Sequence, residues 1–159
     1  MEKKGKGLLV TNGKSLTLDN IKGLARVEHG KSPLGLIIID YDQKIELSTT
    51  RDIQEWKALQ IAVASLEELA KELGIYILLF AQESSEEGRI SGSFRSTFSA
   101  ATVMRFFRHK DGNDYILADL KNRFGPIGEG VRVKYSPDTS LVKEVEQVNA
   151  KQIKEASCL

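Results

Sequence analysis

The spacing of apolar positions changes along this chain, and each change marks an element. Residues 8–11 form a short apolar run closed by the turn pair Asn12-Gly13. From residue 18 apolar side chains recur at helical spacing, with Leu18, Ile21, Leu24 and Ala25 on one face. Thr17, just before them, has N-cap chemistry: its hydroxyl can accept from a backbone N–H of the first turn. The predicted helix runs to Glu28, and the breakers at 30–33 end it. Residues 35–40 are continuously apolar up to Asp40, the pattern of a strand covered on both faces. After a polar, irregular stretch over 41–50 the spacing returns to threes and fours. Leu59, Val63, Leu66, Ala70 and Leu73 make one stripe of a long helix over 51–73. Glu67, Glu68, Lys71 and Glu72 fall mostly off that stripe, and Gly74 suits a C-terminal cap. Residues 75–81 are a second all-apolar strand.

The second half has a different grain. Residues 83–97 are rich in Ser, Gly, Glu and Arg and read as a loop. Three strands at hairpin spacing follow, over 102–108, 115–120 and 130–135, with Lys110-Asp111-Gly112-Asn113-Asp114 as the first turn. From Ser136 onward the chain is polar. Leu141, Val145 and Val148 there fit either a weak amphipathic helix or a fraying tail. Strand–helix–strand units followed by a meander imply an α/β fold: a mostly parallel sheet flanked by helices, with a C-terminal antiparallel meander. The expected division is a core over residues 1–136 and a polar, possibly helical tail over residues 137–159.

Composition narrows the classes. A chain of 159 residues, 41% hydrophobic and 28% charged, has the profile of one globular domain. At this length about 70% of the unfolded surface can be buried without covalent staples. No apolar run approaches the roughly 20 residues that span a bilayer, so a membrane is not expected. Cys158 is the single cysteine, which precludes an internal disulfide and suits a cytoplasmic setting. It is not placed for a prenylation box. A net charge of +1 argues neither for nor against nucleic acid.

In parallel sheets ligands gather at the carboxyl ends of strands. Asp40 closes one apolar strand and Gln82 follows another. A carboxylate at such a place can hold the water shell of a magnesium ion, and Gln82 can sense a terminal phosphate. A phosphate-binding loop, G-x-x-x-x-G-K-[ST], is missing. Gly13-Lys14-Ser15 and Gly30-Lys31-Ser32 carry its end, but the required first glycines are replaced by Leu8 and Ala25. His29 and His109 lack partner spacing for a metal or a triad and read as surface residues. Trp56, Phe106 and Phe107 read as packing.

Four segments in this order resemble the ATPase half of DnaB-type replicative helicases, a RecA-like hexameric motor family, from about Leu8 to Lys143. They are Leu-Thr-Leu-Asp-Asn-Ile at 16–21, Leu-Ile-Ile-Ile-Asp-Tyr-Asp-Gln at 36–43, the helix and strand of 66–82, and Lys-Asn-Arg-Phe-Gly-Pro-Ile-Gly at 121–128. The resemblance implies ATP and Mg as family cofactors. It assigns Asp40 to the Walker B position that holds nucleotide and metal, and Gln82 to the sensor. Arg123, with Lys121 beside it, falls at the finger offered to a neighbouring subunit. Arg89 and Arg95, with Ser91, Gly92 and Ser93, fall in a DNA-facing loop, offset by Glu83, Glu86 and Glu87. Two departures stand out: Phe98-Ser99-Ala100-Ala101-Thr102 replaces an acidic, amide-bearing segment, and Asp42 replaces an apolar residue. Each site residue also has a plain structural reading. Asp40 can cap a strand end, Gln82 can satisfy backbone, and Lys121, Arg123, Arg89 and Arg95 can be solvated surface charges.

The resemblance implies a truncated relative that lacks the phosphate cradle, the catalytic glutamate and the N-terminal helicase domain. Such a chain is expected not to hydrolyse ATP or unwind DNA alone, with ATP and Mg bound weakly or not at all. It would act by binding single-stranded DNA, a helicase-family partner, or itself as a homodimer. The alternative is an ATPase fragment that completes a partner's site in trans through Arg123 and Lys121. A remnant retaining only an interface, and an enzyme with a novel nucleotide site, are further readings. In the family's sheet the missing phosphate-loop strand lies between the strand of 75–81 and that of 102–108. Three outcomes follow: those two strands pair directly, another chain supplies the strand, or two copies associate by their edges.

Overall fold

Every backbone polar group taken from water needs a partner, and this chain meets that demand in two separate compact units. One comprises Met1–Ser85 with Arg89–Ser99, the other Glu86–Gly88 with Ala100–Leu159. The computed structural model describes residues 2–3, 9–10, 16–40, 45–46, 55–81, 99–110 and 114–156.

In the first unit β1 (Glu2–Lys3) and β2 (Leu9–Val10) pair antiparallel. Leu16–Thr17 forms β3, which leads directly into α1 (Leu18–Lys31). Thr17 caps α1 as predicted, its Oγ1 accepting the Asn20 N–H at 3.2 Å. The helix runs past Glu28 to Lys31 and ends where the Ser32 N–H donates to the Glu28 carbonyl at 3.0 Å. His29 is half-buried, and its Nδ1 accepts the Leu34 N–H at 3.2 Å. It fixes the turn into the next strand, a structural role in place of the expected surface one.

That strand, β4 (Leu36–Ile39), precedes β5 (Ile45–Glu46), a parallel partner of β3 inside the stretch read as irregular. The second helix, α2, spans Glu55–Leu73. Its buried line is Ala62, Leu66 and Leu69, with Leu69 wholly enclosed. Val63 and Ala70, placed on the stripe by spacing alone, are half-buried flanks. Gly74 adopts φ +65°, a left-handed conformation that needs a residue without Cβ, and the Ile75 N–H reaches the Ala70 carbonyl at 3.1 Å. The chain then enters β6 (Tyr76–Leu79), parallel to β4 with Leu36 opposite Tyr76 and Ile39 opposite Leu79.

Leu18, Ile21 and Ala25 of α1 join Ala62, Leu66 and Leu69 of α2 in one core, against which Ile37, Ile39, Ile77, Leu79 and Leu73 pack. The helices cover one face of β4 and β6. The alternate residues Leu36, Ile38, Tyr76, Leu78 and Phe80 are 45–81% exposed. Burial on both faces, expected from the unbroken apolar runs, is therefore met on one face only.

Arg26 of α1 clamps Glu72 of α2 with two parallel hydrogen bonds of 2.6 Å. The bond from Arg26 draws the Glu72 carboxyl below the ordinary carboxylate range, desolvation opposes it, and the charges of Arg26 and Lys22 add to the lowering. A lowered folded value means the link stabilises at pH above the unfolded value and is lost as pH falls through the folded one. Both side chains are half-exposed, so the contribution is small. Urea titrations of wild type and Glu72→Gln should differ at neutral pH, begin to approach each other as the pH falls past the ordinary glutamate value of about 4.3, and converge only below the lowered value of the folded carboxyl. A gap that persists in acid would show that the clamp is not electrostatic.

The second unit is a four-stranded antiparallel sheet in the order β10-β9-β8-β7, formed by β7 (Thr102–Arg108), β8 (Asp114–Asn122), β9 (Glu129–Ser136) and β10 (Leu141–Asn149). The first three are the predicted meander. The fourth corrects the expectation for the tail: Leu141, Val145 and Val148 lie on a strand, and the helix, α3 (Ala150–Ala156), starts after them. Pairing with β9 from Leu141 opposite Ser136 to Asn149 opposite Glu129 outweighs the helical spacing of three residues. Asn149 then caps α3. Its Oδ1 accepts the Lys151 and Gln152 N–H groups, and Gln152 Oε1 accepts the Asn149 N–H at 2.9 Å, a capping box.

Ile116, Ala118, Val148 and Ala156 form this unit's core, with Phe107 and Ile153 packed on it. Phe107 thus packs as expected. Phe106 is exposed and stacks on Tyr115 with centroids 5.1 Å apart. Arg132 ties three strands together, reaching Asp114 of β8 at 2.8 Å and Glu146 of β10 at 3.0 Å. Within its own unit β6 pairs with β4, and β7 pairs with β8.

Candidate functional site

Asp40 stands at the carboxyl end of β4, as its place after the apolar run implies, and is exposed to solvent. Beside it the Phe80 N–H donates to the Ile39 carbonyl at 3.0 Å, which extends the parallel pairing to the end of the apolar run. Gln82, Arg89 and Arg95 lie outside the described residues, as do Asp42 and Gly13-Lys14-Ser15. Among the described residues no group of three or more His, Cys, Asp or Glu side chains could hold a metal ion.

Gly30-Lys31-Ser32 is placed by the structure, and its placement is the reverse of a phosphate cradle. Gly30 and Lys31 are the last residues of α1. A cradle uses the N-terminus of a helix, where unpaired N–H groups and the positive end of the macrodipole meet the phosphates. Here the triplet occupies the negative end, the Ser32 N–H is spent on Glu28, and Lys31 pairs with the Glu28 carboxylate at 2.8 Å. The Gly30-Lys31-Ser32 triplet therefore does not have the geometry of a phosphate cradle. Asp40 alone offers one carboxylate, whereas bound magnesium leans on nucleotide phosphates for much of its shell.

The segment over 121–128 is held by its own backbone and side-chain hydrogen bonds. Lys121 pairs across from Val103, half-buried, and a bulge at the Val103/Met104 register shift adjusts the end of β8. Arg123 lies just past the strand, exposed, with its N–H on the Ala101 carbonyl at 2.9 Å. It sits at the bend that follows the last residue of β8. Asn122 Oδ1 accepts the Phe124 N–H at 3.1 Å, and the Gly128 N–H returns to the Asp119 carbonyl at 3.3 Å. These bonds make a fixed loop that presents Phe124, 83% exposed, and Ile127 beside Arg123. An Asn preceding a Gly-Pro pair is the sequence signal of the Asn122 turn; the outward stance of Phe124 has no such signal.

One concave site in the second unit, about 300 Å³, is lined by His109, Lys110, Arg132, Glu146 and Glu155 among others. The hydrogen bonds that Arg132 donates, to Glu146 first and Asp114 second, push its guanidinium up from its ordinary value. Its charge is already answered within the unit, so it offers little to an anion. Among the described residues no helix is long and apolar enough to cross a membrane.

No protein-family model and no curated protein matches the chain. Among solved structures it is similar to the ATPase domain of a DnaB-like helicase, with a TM-score of 0.71 and 18% identity over 83% of this chain and 52% of that one. The chain thus spans about half the length of that solved domain. At this identity the likeness is one of fold: the chain has the mixed α/β architecture of a partial RecA-like domain.

Proposed function

We propose that the chain is a relative of DnaB-type replicative helicases that neither hydrolyses ATP nor unwinds DNA by itself. It acts by association with a helicase-family subunit, with single-stranded DNA, or with another copy of itself. The observation that carries this reading is the pairing of a partial ATPase-domain fold with a Gly-Lys-Ser triplet at the phosphate-repelling end of α1. Phosphoryl transfer is mostly positioning and charge stabilisation, and the Gly30-Lys31-Ser32 triplet supplies no phosphate cradle. Phosphate release by the purified chain should equal the protein-free blank, and Asp40→Ala should change nothing. Turnover that Asp40→Ala abolishes would overturn the reading. Binding to single-stranded DNA, where it occurs, should fall steeply with salt.

The exposed loop carrying Arg123 favours a second reading, in which this chain completes a partner's site. Fingers supplied in trans accelerate hydrolysis by roughly a thousandfold or more. Mixing the chain with a helicase that owns a phosphate loop would then raise ATP turnover, and Arg123→Ala would remove the gain.

A further inference from the structure

The bare face of the β4–β6 pair is a ladder of apolar side chains. Leu36 stands opposite Tyr76 and Ile38 opposite Leu78, and Phe80 extends the row at the carboxyl end beside Asp40. Strands with apolar residues in every position are written for cover on both faces, and α1 and α2 supply cover on one. The five residues leave on the order of 600 Å² open, the upper end of what a monomer's largest patch usually exposes. None of the five carries a charge, so the face lacks the cations that a phosphate backbone or an anionic lipid surface requires.

We infer that this face pairs with the same face of a second copy of the chain, sheet against sheet. Two such faces remove about 1,200 Å² from contact with water, the lower bound for a specific interface. A twofold axis parallel to the sheet plane and perpendicular to the strands stacks the Leu, Ile and Tyr ladders on each other. It also sends the two Asp40 carboxylates to opposite ends, so no like charges meet at the centre. A whole-chain charge of +1 adds almost no repulsion between copies. This contact uses the face, not the unpaired edge, of the sheet. It rests on the reading of the chain as one that acts by association, but its test reads mass and not turnover: ATP hydrolysis would sink that reading and leave the dimer standing.

The test is sedimentation equilibrium of the full chain. Wild type should be a monomer–dimer mixture with a dissociation constant in the micromolar range. Ile38→Lys/Tyr76→Lys should weaken the dimer by about a hundredfold or more. Both positions are already exposed, so the far-UV circular dichroism of the variant should match wild type. Tyr76→Ala/Leu78→Ala, which adds no charge, should weaken it by about tenfold. Met104→Lys, on an exposed position of β7, should leave it unchanged. A wild type that stays monomeric across the micromolar range, or a dimer that survives both double variants, overturns the inference. Either result would mean that something other than a second copy covers the face.

Discussion

Leu69→Ala should lower the stability of the first unit by about 3 kcal/mol, within the range of roughly 2–5 measured for enclosed leucines. Leu69 is 0% exposed and sits in the core between α1 and α2. Its loss removes the transfer energy of the missing carbons and leaves a void lined by Leu66, Ala62 and the α1 side chains. The surrounding helices cannot collapse into it without breaking the contact of Ile37 and Ile77 with the same core. The urea midpoint should fall, and amide exchange in α2 should accelerate along the whole helix. Val63→Ala, on the half-buried flank, should cost clearly less. Equal effects from the two would place the core stripe where spacing alone puts it and not where Leu69 does.

Gly130→Ala should destabilise the second unit by about 1–3 kcal/mol, the usual cost of forcing atoms into a packed interior. The sign is informative. Replacing glycine by alanine ordinarily stabilises slightly, by restricting the unfolded chain. At Gly130 a Cβ would stand 2.7 Å from the Leu117 carbonyl oxygen, 3.1 Å from the Ala118 Cα and 3.3 Å from Val148. Two of these neighbours are backbone of the adjacent β8, so relief requires the strands to part. Gly130 pairs with Ala118 on one side and Val148 on the other, so the strain reaches the centre of the unit. Thermal unfolding followed by circular dichroism measures it, and a raised midpoint would refute the close-approach account.

Much of the architecture is readable from the letters, because local signals and tertiary packing agree. Thr17 caps α1, Gly74 ends α2 in the left-handed conformation, and the apolar runs around Ile38 and Leu78 are parallel strands. The failures share a cause: spacing does not reveal what lies opposite. Helical periodicity admits both the Val63–Ala70 stripe and the Leu69 line, and only contact with α1 decides between them. Leu141, Val145 and Val148 fit a helix until β9 offers a full ladder of partners. Asn149 and Gln152 carry a capping signature that marks where the helix does begin.

The candidate site is legible unevenly. A strand end marks Asp40, and the family resemblance alone marks the 121–128 segment; the fold puts the first at the end of β4 and the second at the end of β8. Gln82, Arg89 and Arg95 lie outside the described residues. Gly30-Lys31-Ser32 fails as a phosphate loop on spacing, and the fold adds an independent electrostatic reason at the end of α1. The stance of Phe124 depends on the Asn122 turn and on where β8 bulges, which no spacing rule supplies.

The link from Arg132 to Asp114 and Glu146 sets the character of the outermost strand. Of the residues of β10 only Val148 is buried, so this border strand is fastened by its backbone ladder to β9, with one ion pair added, more than by oil. Ionic strength reaches that pair before it reaches a greasy interior. Salt therefore weakens only the ionic share of what holds the meander's rim, and the backbone ladder keeps the strand in register.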